Sequence, residues 1–193
     1  MPTEPPQPRT ARPSLEAFQE ALARKLADAV HRPATSGWLG VSWRGVRALV
    51  PLAQAGEIFH PTVLQRVPHT QPWVLGVASL RGGVTVVVDW VHFLGLPAQT
   101  APADHDETVY WISFNAAIGA HAALCVDQLL GLRAAAELTP EPLSHAPVGV
   151  RQMCRDADGV QWVELDLVAL AQSPAFLDPR LPEFARPVPP IVR

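Results

Sequence analysis

The sequence predicts a mainly all-β fold built as two small barrels in contact, on three observations. Short runs rich in Val, Thr and Trp recur at intervals of about eight to twelve residues with Gly-containing connections, as in a barrel or sandwich. All 12 glycines fall between Gly37 and Gly159, whereas prolines crowd both ends of the chain. The chain also repeats itself loosely: 45–56 lines up with 119–131, pairing Gln54 with Gln128, and 86–94 lines up with 162–170, pairing Asp89 with Asp166. Two related halves of about 70 residues are implied, neither able alone to bury enough surface to be robust.

Residues 1–13 hold five prolines. A ring that fixes φ and removes an N–H donor makes a poor strand or helix, so a disordered Pro-rich tail is expected there. Residues 14–31 follow as an amphipathic helix, with Leu15, Phe18, Leu22, Leu26 and Val30 every three or four residues along one stripe. Ser14 can cap it, and early Glu16 and Glu20 with late Arg24 and Lys25 suit the helix dipole. The stripe can pack on the protein's own body or on a partner.

The body, 37–172, reads as hairpins. Runs 39–43 and 46–51 flank Arg44-Gly45, 75–80 and 84–89 flank Arg81-Gly82-Gly83, 108–114 and 120–126 flank a turn at 116–119, and 149–155 and 160–165 flank Asp158-Gly159. Connections of this length and composition are hairpin turns. A polar linker near 97–107 is expected between the halves, and a second Pro-rich tail occupies 179–193. Asp89 and Asp166 each stand where a strand pattern passes into a short helical one. They are read as caps for orphan N–H groups ahead of paired catalytic carboxylates, and Asp127 as a turn residue. The tryptophans, at 38, 43, 73, 90, 111 and 162, fall mostly within these patterns and are read chiefly as core.

With 48% hydrophobic residues, 17% charged and a formal charge of −3, the chain is too apolar and too weakly charged to be disordered. Its 15 basic and 18 acidic residues are interspersed without runs, which argues against nucleic acid or an anionic membrane surface. The longest apolar runs, 84–96 and 116–126, are broken by Asp89 and His121 and fall short of the roughly 20 residues a bilayer requires. No direct membrane insertion is expected. The first residues lack the basic-then-apolar pattern of a secretory signal, and the only cysteines are Cys125 and Cys154, so the expected compartment is cytoplasmic.

Signatures of catalysis are missing from the sequence. Ser79 is not in a G-x-S-x-G elbow, neither cysteine has a suggestively placed histidine, and no phosphate-binding glycine motif occurs. The histidines, at 31, 60, 69, 92, 105, 121 and 145, show no H-x-H or H-E-x-x-H spacing. Asp104-His105-Asp106 is the one local cluster of metal-ligand type, and three adjacent residues do not converge on an ion unaided. No catalytic residue, metal or cofactor is expected. An all-β enzyme or metal protein has only His60, His69 and the 104–106 cluster in its favour.

Four stretches carry a family resemblance: VPLAQAGEI at 50–58, VPHTQPWVLGVASLRGGVTVVVDW at 67–90, AALCVDQLLGL at 122–132 and VQWVELDLVALA at 160–171. Together they resemble the CheW-like chemotaxis coupling proteins over about 37–172. The leading helix with the QPWVLGVASLRG string is similar to the PilI-type adaptors of type IV pilus chemosensory systems. The resemblance implies a non-catalytic scaffold of two five-stranded SH3-like β-barrels. Its implied partners are the cytoplasmic tip of a methyl-accepting chemoreceptor and the regulatory domain of a CheA-type histidine kinase, with twitching motility as the output. A CheW-like module that competes for receptor or kinase without coupling them would share the same groove. The family's receptor-contacting strand matches Ala55, Glu57 and Ile58, and its L-R-G turn matches Leu80, Arg81 and Gly82, with Arg81 and Glu57 foremost. Three positions depart from the pattern: Ser79 replaces the usual Asn, Val86 a frequent Pro, and Trp90 a Leu-like residue.

Overall fold

The Gly-punctuated runs form strands in the computed structural model, which describes residues 37–99, 109–143 and 145–182. Strands β1 (Trp38–Trp43) and β2 (Val46–Pro51) flank Arg44-Gly45, and β4 (Val74–Leu80) and β5 (Gly83–Val88) flank Arg81-Gly82. In both turns the two central residues have positive φ: 52° and 81° in the first, 48° and 78° in the second. That is the turn whose twist matches the flanking strands, and an L-residue at its first position is tolerated there at some strain. The antiparallel pairs β6 (Tyr110–Phe114) with β7 (Ala122–Val126) and β10 (Val150–Asp156) with β11 (Gln161–Leu165) complete the four expected hairpins.

Short helices follow β5 and β11, as the Asp-containing junctions predict. Asp89 caps α1 (Trp90–Phe93) by accepting the His92 N–H, and Asp166 caps α2 (Leu167–Gln172) by accepting the N–H groups of Val168 and Ala169. Ser173 and Pro174 then start α3 (Pro174–Leu177), whose Phe176 ring stacks on Trp73 and Phe114. The expected helix 14–31, the tail 1–13 and most of the 97–107 linker and 179–193 tail lie outside the described residues.

Three further strands complete the sheets: β3 (Ala55–Phe59), β8 (Gln128–Arg133) and β9 (Leu138–Glu141). Sheet I has the order β8-β1-β2-β11-β10-β9 and sheet II the order β3-β6-β7-β5-β4. Sheet I therefore has six strands, not five. Its strands wrap a cluster of their own to which each contributes, through Trp38, Leu49, Leu130, Leu138, Cys154 and Trp162. Sheet II curls so that its edges approach: past the end of β3, Gln65 exchanges both backbone hydrogen bonds with Val77 on β4 at 2.8 Å. Two SH3-like barrels result, and one larger apolar core runs between them from Val41, Trp43 and Val50 to Val87, Trp90 and Leu124. Five of the six tryptophans are buried and Trp38 is half-buried.

The barrels do not correspond to the two sequence halves. Sheet II is drawn from 55–126, and sheet I joins β1 and β2 to β8–β11. The repeat survives in the roles of its strands. In each barrel a parallel pair links one member from each half: β2 beside β11, in register Val163 to Ala48, and β7 beside β5, in register Val86 to Ala122. The halves have exchanged strands, and the linker near 97–107 separates α1 from β6, two elements on the sheet II side. A parallel pairing across more than 100 residues leaves no periodic signal, which is why the split into sequential halves fails while every local hairpin holds.

Candidate functional site

The six residues singled out by the sequence lie on β3, at the end of β4 and in the turn after it, at opposite edges of sheet II in hydrogen-bonding order. Curling of the sheet brings those edges together. Arg81 Nε donates to Glu57 Oε2 at 2.5 Å, both side chains being largely exposed. An exposed pair of this kind contributes at most about 1 kcal/mol, so its value is placement more than stability.

Each partner is held by local structure. Pairing of β3 with β6 slips between Ala55 and Ile58, leaving a bulge at Gly56-Glu57. The Ser113 hydroxyl accepts the Glu57 N–H at 2.9 Å and donates back to the Glu57 carbonyl at 3.3 Å, which fixes the bulge and aims the carboxylate. A Cβ at Gly56 would come within 2.5 Å of that hydroxyl and 2.8 Å of the Phe114 carbonyl, so the bulge needs glycine. On the other edge, buried Leu80 anchors the turn while Gly82 stands in open space at φ 78°. Arg81 is thereby projected outward.

Glu57, Leu80 and Arg81 share a depression of about 320 Å³ with Phe59, Ser113 and His121. Ile58, 46% exposed, points outward on the same strand, whereas Ala55 packs against the core opposite Phe114. Thus Glu57, Arg81, Leu80, Gly82 and Ile58 cluster at one end of sheet II, and Ala55 supports them from behind. Sequence reasoning does not single out Ser113 or His121: Ser113 sits within a strand run, and His121 just before β7, in the run read as a strand. A second, larger depression of about 660 Å³ lies between the first hairpin and β10–β11, lined by Arg47, Met153 and Arg155, and contains no residue of the predicted set.

The arrangement is an exposed ion pair beside a shallow depression. Among the described residues no group of three His, Cys, Asp or Glu is placed to hold a metal, and the 104–106 cluster lies outside them. Burial, and secondarily the Asp89 carboxylate, pushes the Cys125 thiol far above its ordinary value, away from the thiolate a nucleophile requires. Asp166 titrates below the ordinary carboxylate value: partial burial acts upward but is outweighed by the Ala169 N–H and by Arg151. That is the behaviour of a cap. No helix among the described residues is long and apolar enough to cross a membrane.

Comparison with known proteins bears on this arrangement. A family model described as CheW-like domain matches residues 38–175. Protein PilI of Pseudomonas aeruginosa is 27% identical over 158 residues, covering 75% of this chain and 82% of that protein. The crystal structure of the scaffolding protein TtCheW from Thermoanaerobacter tengcongensis superposes with a TM-score of 0.58 at 17% identity, over 71% of this chain and 88% of that one, a likeness of fold.

Proposed function

The chain belongs to the CheW-like domain family, and on that premise we propose that it is a non-catalytic adaptor coupling a chemoreceptor to a CheA-type histidine kinase in the cytoplasm. Similarity to Protein PilI supports a type IV pilus output, twitching motility, over other outputs. The observation that carries the reading is the Glu57–Arg81 pair, presented by a bulge and a tight turn at one end of sheet II beside a shallow cavity. A helical hairpin from a receptor tip has apolar ridges and a few charges. It is matched by exposed Ile58 and a guanidinium whose planar fork grips carboxylates and carbonyls. The receptor-contacting set is Glu57, Ile58, Leu80, Arg81 and Gly82, with Ala55 supporting them from the core side.

Reconstitution with a cognate receptor cytoplasmic fragment and kinase tests the proposal. The native chain is expected to raise receptor-coupled kinase activity. Arg81→Glu, which sets two carboxylates side by side, is expected to weaken assembly while the melting temperature holds. Equal binding by native and Arg81→Glu proteins would refute the role of the turn. Binding without any rise in kinase activity would make the protein a competitor instead of a coupler.

A further inference from the structure

The first hairpin of sheet I ends against the residues that follow β5 and β7 in sheet II. At its tip the Trp43 indole N–H donates to Asp89 Oδ1 at 2.9 Å, Arg44 Nη1 donates to Asp89 Oδ2 at 2.8 Å, and the Arg44 backbone N–H donates to Asp127 Oδ2 at 2.9 Å. Asp89 is 3% exposed. The two carboxylates that hold Arg44 terminate β5 and β7, which run parallel and adjacent in the register Val86 to Ala122 and Val88 to Leu124. Followed back to their other ends, these two strands reach the candidate site. β5 begins immediately after Arg81-Gly82, and β7 is preceded by Ala120 and His121, which line the cavity around Glu57 and Arg81. The lip itself is stitched by the Val86 N–H donating to the His121 carbonyl at 3.0 Å.

We infer that Arg44 is a positioning residue: it clamps the far ends of the β5–β7 pair from the other barrel and so fixes the lip of the cavity about 20 Å away, taking 3.3 Å per residue along six residues. The inference rests on the adaptor reading only for its consequence in partner binding. Stability alone is a poor explanation of the contact. Arg44 adopts φ 52°, which an L-residue disfavours, and its Nε and Asp127 Oδ1 are buried without a protein partner. A buried ion pair so incompletely satisfied contributes little net free energy, whereas it does hold one geometry against others. The strand pair is a short, rigid element that a clamp at one end can align at the other.

Arg44→Asn removes the guanidinium's bond to Asp89 and leaves the turn and its backbone N–H on Asp127 in place. Asn-Gly is the preferred pair for this hairpin, so a purely local role predicts unchanged or slower opening. The clamp predicts that amide hydrogen exchange at Gly83, Thr85 and Val86 speeds up about tenfold or more in the isolated protein, with Met153 and Cys154 on β10 unaffected. Arg44→Lys should recover part of the protection. Should Arg44→Asn fail to fold, Asp127→Ala removes the acceptor of the Arg44 backbone N–H and is read out the same way. Unchanged exchange at the lip in a folded variant would overturn the inference. No partner is present in that measurement, so its failure is distinct from failure of the adaptor reading, which the Arg81→Glu assembly test decides.

Discussion

The Gln54 side chain accepts the backbone N–H of Leu167 at 2.7 Å, across 113 residues of sequence. Gln54 lies where the chain leaves sheet I for sheet II, and Leu167 is the first residue of α2, so the crossover supplies one of the caps that the helix lacks. Its Nε2 also reaches Asp166 Oδ1 at 3.4 Å, and its own carbonyl accepts the Asn115 N–H at 2.9 Å. One side chain thus ties a strand crossover to a helix start.

Gln54→Ala should cost about 1–2 kcal/mol, the value of a part-buried hydrogen bond whose partner is left unsatisfied. Urea unfolding monitored by tryptophan fluorescence measures it. A midpoint indistinguishable from native would show that α2 is capped adequately by Asp166 alone. Gln54→Glu should be worse, since it brings a second carboxylate to Asp166.

Gly149 has φ 95°, and a Cβ there would lie 2.8 Å from Leu170 Cγ. Gly149→Ala combines backbone strain with overpacking against a buried leucine and should cost about 2–4 kcal/mol. Gly159, at φ 79° with open space around it, is the control: Gly159→Asn should change stability by about 0.5 kcal/mol or less. Thermal melts of the two variants give the comparison, and equal losses would refute the steric account of Gly149.

Asp156 Oδ2 accepts the Trp162 indole N–H at 2.9 Å. That bond, joined by the Val160 and Asp158 N–H groups and opposed by some desolvation, holds the carboxyl below the ordinary value. A lowered folded value means that the carboxylate contributes stability above the ordinary carboxylate range, which is lost as pH falls through the folded value. Trp162→Phe removes the donor. The Asp156 midpoint, followed by the carboxyl carbon resonance, should rise toward the ordinary value. An unmoved midpoint would assign the shift to the backbone donors.

Cys125 is buried between strands, and Cys154 lies in the small core of sheet I with its thiol also pushed up, chiefly by burial. A thiol-specific chromogenic disulfide should react slowly with the native protein and with both cysteines promptly in denaturant. Rapid labelling without denaturant would show that one barrel opens locally.

Local structure was legible because its signals are local. Arg44-Gly45 and Arg81-Gly82 mark hairpins, and Asp89 and Asp166 announce helix starts, each within a few residues. β9 was hidden because its sequence, Leu-Thr-Pro-Glu, contains a proline that only an edge strand tolerates. β8 was hidden because Gln-Leu-Leu-Gly-Leu-Arg has no alternation to read. At the site, family resemblance pointed to Glu57 and Arg81, but their approach depends on curling of sheet II, and Ser113, which aims Glu57, carries no mark of its own. Asp89 was legible as a cap. Its grip on Arg44 was not, because that contact forms only when two barrels meet.

The exchange of strands between the halves also sets an order of assembly. Sheet II is drawn from one continuous stretch, 55–126, and can be completed while the C-terminal part is still being synthesised. β1 and β2 emerge first; β1 gains its second neighbour with β8, but β2 has none until β11 arrives, because Ala48 pairs with Val163. The first strands made are therefore among the last to be enclosed, and β2 keeps an unpaired edge until β11 is in place. The slow step of folding is expected to be closure of sheet I around Trp162, the pairing with the longest loop to close.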